Sequence, residues 1–293
     1  SVSPPAPDGP GPDLSAYEIR IDEAGERIDL EGLSVWLAAS PGPRAAGGGL
    51  AAAFAVPVPG GVALAVSDGA ESSLGARYAA VLAARTFCRA AAANPADAGA
   101  AVAVVQHHLE VLLSALLAAG DSAESLGRIR GNVPAANARR ILHHTREPEE
   151  ALRRVAPALT TGLLGAVVTR GPDGVRVSLH RVGTGSAEAR ASGRVAPLLG
   201  GSRTASAALL GPGARGLEAL ALVESPPLVR LVPWEALLLA TPAVAKGAAS
   251  AWAGLSTLWA PFPDGLSTGD SARDLLRQVQ PLTFHHVLPD GTM

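Results

Sequence analysis

Short apolar runs at Leu50 to Val58 and Val62 to Val66, separated by proline and glycine at Pro57 to Gly61, predict two strands joined by a hairpin turn. Similar runs from Tyr17 to Ile21 and from Leu33 to Ala39 predict two earlier strands, so the front of the chain reads as a meander. The period then changes. From Leu74 to Ala93 and from Ala98 to Ala119 apolar residues recur at helical spacing, and Asn94-Pro95-Ala96-Asp97 stops the first helix and caps the second. Gly120 to Pro134 reads as a loop, and Ala135 to His144 and Pro148 to Val155 as shorter helical pieces. Strands return at Thr161 to Thr169 and Val175 to Val182 around the turn Arg170 to Gly174, and continue at Glu188 to Ala191, Leu217 to Val223 and Leu228 to Val232. Trp234 to Ala240 leads into a helix from Val244 to Leu255. A last helix, Ser271 to Val279, precedes a strand at Thr283 to Leu288. Strands, a helix pair, strands, helices and a strand make an α+β order, with antiparallel sheets carrying helices on their outer faces.

Composition narrows the class. With 293 residues, 48% hydrophobic and 17% charged, the chain can bury a full core, and we expect a loose proline-rich tail at 1–14 followed by one domain at 15–293. A net charge of -2 without a basic block argues against nucleic acid as a partner. The apolar stretch from Val102 to Ala119 is interrupted by Gln106, His107, His108 and Glu110, so no membrane span is expected. Ser1 to Pro12 lacks the cationic start and apolar centre of a secretion signal. The lone Cys88, in an apolar helical stretch, reads as a buried thiol and is compatible with a reducing cytoplasm.

Candidate chemistry centres on the tract from Gly61 to Ser73, where an apolar strand delivers Asp68 and Gly69 into a turn ahead of a helix. A carboxylate beside a glycine carbonyl suits a hard divalent cation; an Asp-Gly turn capped by Ser72 or Ser73 accounts for the same residues without one. Ser67 and Ser186 lack the surroundings of an activated nucleophile, and Gly47-Gly48-Gly49 lacks the Lys-Ser/Thr ending of a nucleotide loop. The pairs His107-His108, His143-His144 and His285-His286 diverge on either a helix or a strand, so none chelates one ion by itself. Glu71 reads as a first-turn helix residue.

Five motifs in order resemble the PPM-type metal-dependent protein phosphatases, that is, protein phosphatase 2C-like enzymes, over residues 30 to 289. Asp68-Gly69-Ala70-Glu71-Ser72 resembles the family's Asp-Gly-x-Gly-Gly/Ser, and Thr160-Thr161 with Gly183-Thr184-Gly185-Ser186 resembles its Thr-Thr strand and Gly-Asp-Ser turn. Leu237 to Ala243 is similar to its Leu-Leu-x-Thr-Asp-Gly, Gln280 to Thr283 to its closing Asp-Asn-x-Thr, and Arg44 to Gly49 to its Arg-x-Asn-Asn-Glu-Asp. The resemblance implies a four-layer α/β/β/α fold, an antiparallel β-sandwich flanked by helix pairs. It also implies metal ligation at Asp68 and Gly69 and phosphate contact at Arg44.

The departures carry the functional expectation. Where the family has acids, this chain has Gly48, Gly49, Thr184, Pro242 and Gln280. A pair of divalent cations brings about four positive charges, which a low-dielectric cleft rejects unless carboxylates neutralise them. The expectation is therefore a vestigial metal site with no cofactor and no catalytic residue. The chain would be a pseudophosphatase that acts as a scaffold or regulatory subunit for a kinase, a modifying enzyme or a phosphoprotein, with the Trp252 to Phe262 tract as the docking surface. The alternative is a divergent active phosphatase using Mg²⁺ or Mn²⁺, with Glu235, Asp264, Asp270 or Asp274 as ligands.

Overall fold

A computed structural model describes residues 26–30, 33–37, 51–70, 74–118, 159–183, 185–191, 194–199, 208–231 and 236–241. The tail at 1–14 lies outside them. So do the elements expected at Tyr17 to Ile21, Gly120 to Val155 and everything from Val244 onward.

The described residues form a mixed α+β architecture in which every strand pairing is antiparallel. The hairpin β1 (Glu26–Leu30) and β2 (Leu33–Leu37) stands as a two-stranded sheet. β3 (Ala51–Val58), β4 (Gly61–Gly69), β5 (Thr161–Gly171), β6 (Gly174–Val182) and β9 (Val229–Leu231) form a five-stranded sheet in the order β3-β4-β5-β6-β9. β7 (Ser186–Ala191), β8 (Arg194–Leu199) and β10 (Ala236–Ala240) form a three-stranded sheet in the order β10-β7-β8. The helices are α1 (Leu74–Ala93), α2 (Ala100–Ala118) and the short α3 (Ala214–Leu220).

Alternation along the strands divides the core in two. Ala63, Ala65, Leu163 and Val167 face α1 and α2, packing with Phe87, Val105 and Leu109. Val62, Leu164, Ala166, Val177 and Leu179 face the other way and pack with Ala187, Ala189 and Leu199 of the three-stranded sheet. The central strands are thus covered on both faces, and Thr161 through Val168 are all buried. The row of small residues on α1, Ala76, Ala79, Ala80, Ala83 and Ala84, is buried against the sheet and lets the helix approach closely.

The two long helices and the central hairpins appear where the periodicity puts them, and Asp97 Oδ1 accepts the Ala100 N–H at 3.3 Å, the expected cap of α2. Two expectations fail. Leu217 to Val223, read as a strand, lies in α3 and the turn after it: Gly216 and Ala219, three apart, are buried while Leu217 is exposed, which is a helical face. Ala236–Ala240, read as the lead-in to a helix, pairs with β7 as a strand. Arg194–Leu199, between two glycines, is a strand that the sequence reading left out.

Gln106 ties α2 to the segment before α3. Its Oε1 accepts the Gly211 N–H at 3.0 Å, and its Nε2 donates to Gly211 O at 2.6 Å and to Glu110 Oε1 at 3.1 Å. Gln106→Leu keeps similar bulk but strands two backbone groups of Gly211, so an expected loss of about 1–3 kcal/mol should appear in urea unfolding followed by circular dichroism.

Candidate functional site

Asp68 and Gly69 are not turn residues, as the sequence suggested, but the last two paired residues of β4. Asp68 stands opposite Ala51 on one side and Gly162 on the other, and Gly69 opposite Thr161. The backbone there is tied down. Thr161 Oγ1 donates to Asp68 O at 2.9 Å, Ala70 N–H donates to Thr160 O at 3.0 Å, and the turn into α1 follows. Gly69 is required by proximity, since a Cβ at this position would lie 2.6 Å from Ala76 O on the first turn of α1.

Side-chain alternation places Asp68 in the row of Val62, Leu64 and Val66, on the face that meets the three-stranded sheet. An acid is thus held at the end of an apolar inter-sheet layer. Burial alone pushes its carboxyl up to about 6. Ser67, pointing the other way, is buried; its Oγ donates to Gly162 O at 2.6 Å and meets Thr161 Oγ1 at 2.8 Å. That role is structural, as the sequence reading held.

Arg181 was missed by the sequence reading because it lies inside an apolar strand. It continues the row of Val177 and Leu179 on the same face as Asp68, two residues further from the strand end. Its guanidinium pairs with Glu224 and donates from Nη1 to Gly185 O at 2.7 Å. Backbone bonds of 2.9 Å in both directions join Arg181 and Glu224 as well. Arg181 therefore holds the turn between β6 and β7 and the segment after α3.

Among solved structures, two crystal structures of a bacterial serine phosphatase, each bearing one arginine substitution, are similar to this chain. The first is 11% identical with a TM-score of 0.47, covering 80% of this chain and 85% of that one. The second is 11% identical with a TM-score of 0.45, covering 82% and 88%. No family model matches the sequence, and no curated protein matches it.

Whether the residues here fit a divalent metal depends on their donors. Among the described residues no group of three or more His, Cys, Asp and Glu side chains is arranged to hold an ion. Asp68 supplies one carboxylate, and its backbone carbonyl accepts a hydrogen bond from Thr161 Oγ1. Mg²⁺ requires near-octahedral oxygen coordination and Ca²⁺ more ligands still, so Asp68 by itself completes the shell of neither ion. Arg44, Gly48, Gly49, Thr184, Pro242 and Gln280 lie outside the described residues, as do Glu71, Glu235, Asp264, Asp270, Asp274 and the Trp252 to Phe262 tract.

Of the histidine pairs, His107-His108 is described. Both residues are exposed on α2 with ring centroids 6.1 Å apart, and His108 Nδ1 meets Thr86 Oγ1 at 3.3 Å. Cys88 is buried, with its thiol pushed upward by burial and its S–H directed to Phe54 O at 3.4 Å, so the bland reading of this thiol holds.

Proposed function

We propose that this chain is a pseudophosphatase, a catalytically inactive PPM phosphatase-like protein whose residues 15–293 form a single four-layer α/β/β/α domain. It serves as a protein-binding scaffold or regulatory subunit in the cytoplasm. The observation that carries this reading is Asp68, which stands at the end of β4 with no second acid grouped beside it among the described residues. A working metal pair would need several carboxylates around it to neutralise its charge. The glycines, threonine, proline and glutamine at positions 48, 49, 184, 242 and 280 replace the acids that the motif resemblance leads one to expect. Without a metal pair there is neither a clamp on the attacking and leaving oxygens nor hydroxide at neutral pH. A kinase, a modifying enzyme or a phosphoprotein is the class of partner, and Arg44 is the candidate phosphate contact.

A second reading rests on the same carboxylate. A buried acid with a raised proton affinity is a group that a cation would stabilise, and acids outside the described residues, such as Glu235 or Asp264, would have to complete the shell. Calorimetry with Mn²⁺ and Mg²⁺, combined with p-nitrophenyl phosphate turnover, separates the two. The inactive scaffold is expected to bind either ion more weakly than about 100 µM, as suits a site with one carboxylate, and to show no Mn²⁺-stimulated turnover. Tight binding and turnover that both vanish in Asp68→Ala would establish the divergent phosphatase instead.

A further inference from the structure

The seventh histidine, His180, belongs to none of the adjacent pairs and sits on the face of the sheet opposite Asp68. It lies on β6 on the side facing the helices, 7% exposed, beneath the loop that leads into α2. Its Nε2 shares a hydrogen bond with Ser178 Oγ at 2.9 Å, and its Nδ1 shares one with Ser225 Oγ at 2.8 Å. Phe87 packs beside the ring at a centroid distance of 6.3 Å. Burial holds the imidazole below its ordinary pKa against the opposing pull of Asp97, so at neutral pH the ring is uncharged.

An uncharged imidazole carries one N–H and one lone pair, so with a serine hydroxyl at each nitrogen, one serine accepts and the other donates. With the proton on Nε2, Ser178 accepts it and Nδ1 faces the Ser225 hydroxyl as a base. The two serines differ in access. Ser178 is part-buried on the strand, whereas Ser225 is exposed on the segment after α3. Nucleophile, base and orienting group are thus joined by bonds of the right length, with the base screened from water and the nucleophile open to it. The flanking surface indicates a substrate class. Three residues along the chain to either side of Ser225 stand Leu222 and Leu228, 55% and 54% exposed, apolar side chains left in solvent on the same segment.

We propose that Ser225 is a nucleophile activated by His180, and that it takes the acyl group from esters of apolar carboxylic acids. Ser225 Oγ bonds to the carbonyl carbon as its proton passes to Nδ1. The carbon–oxygen bond to the leaving alcohol then breaks, and that oxygen takes the proton back from Nδ1. Water repeats both transfers on the acyl-serine, releasing the acid and restoring the hydroxyl. This site is independent of Asp68 and of any metal.

The test uses the full chain with a fluorophosphonate probe and p-nitrophenyl butyrate. Peptide mass spectrometry is expected to find one equivalent of label on Ser225, and Ser225→Ala, at an exposed position, is expected to lose both label and ester turnover while unfolding normally. His180→Asn is expected to slow labelling by about 100-fold or more, the usual contribution of a general base. Should that variant fail to fold, wild-type chain in urea provides the comparison, because labelling must collapse when the constellation is taken apart. Label on other residues, or an equal rate in His180→Asn or in urea, would overturn the assignment.

Discussion

Asp68→Asn is expected to make this protein more stable at pH 7, by on the order of 3 kcal/mol. Burial raises the carboxyl from 3.8 to about 6 in the folded chain. The folded state therefore holds a proton that the unfolded state has released throughout the interval between those values. Stability falls as pH rises across that interval and levels off above it, where the folded chain carries a charge that its surroundings do not solvate. Asparagine has nearly the same shape and no charge, so it removes both the slope and the penalty. Urea unfolding at pH 4, 5, 6, 7 and 8 reads this directly: the wild type should lose stability from pH 4 to pH 7, and the variant should lose less. A variant that is less stable at pH 7 would mean that a cation or a donor neutralises Asp68 in the folded chain. In that case the inactive-scaffold reading would fail at its central residue.

Phe87→Ala is expected to cost about 3–5 kcal/mol, the usual range for removing a buried aromatic ring. Phe87 is fully buried in the core between α1 and the five-stranded sheet. The ring fits because Gly165 on β5 has no side chain: a Cβ there would lie 2.3 Å from the ring's Cε1 and Cζ. Gly165→Ala alone should therefore cost about 1–3 kcal/mol by overpacking. The two substitutions should not add. Removing the ring opens the space that the new methyl group needs, so the double variant is expected to be more stable than the sum of the single losses implies. A double-mutant cycle in urea, with m-values compared, tests this. Strict additivity would show that helix and strand do not meet in the way described. Because Phe87 also packs against His180, its loss should slow labelling of Ser225 as well.

The legibility of the chain followed from how locally each feature is encoded. Leu74–Ala93 is helical over its whole predicted length because twenty residues of sustained periodicity leave little ambiguity. The β5–β6 hairpin was equally legible from Pro172-Asp173 between two apolar runs. By contrast, seven residues of α3 contain too few turns to show a period, and its apolar run reads equally well as a strand. Arg181 and His180 were invisible for another reason. Inside an apolar run a charged or polar residue looks like an interruption, and only the partners that satisfy it, Glu224 and Ser225, both on the segment after α3, reveal its use.

The sequence by itself determined the two long helices, the central hairpins and the order in which they follow one another. Those are properties of neighbours along the chain, set by period and turn chemistry. Tertiary structure decided which face each residue serves. The side-chain period of a strand is two, so pairing register alone puts Asp68 against the apolar inter-sheet layer and Ser67 toward the helices. Register and packing likewise brought Ser178, His180 and Ser225 together from positions up to 47 residues apart in the chain. No local pattern could encode that meeting, because the energy that enforces it comes from burying the sheet and the helices against each other.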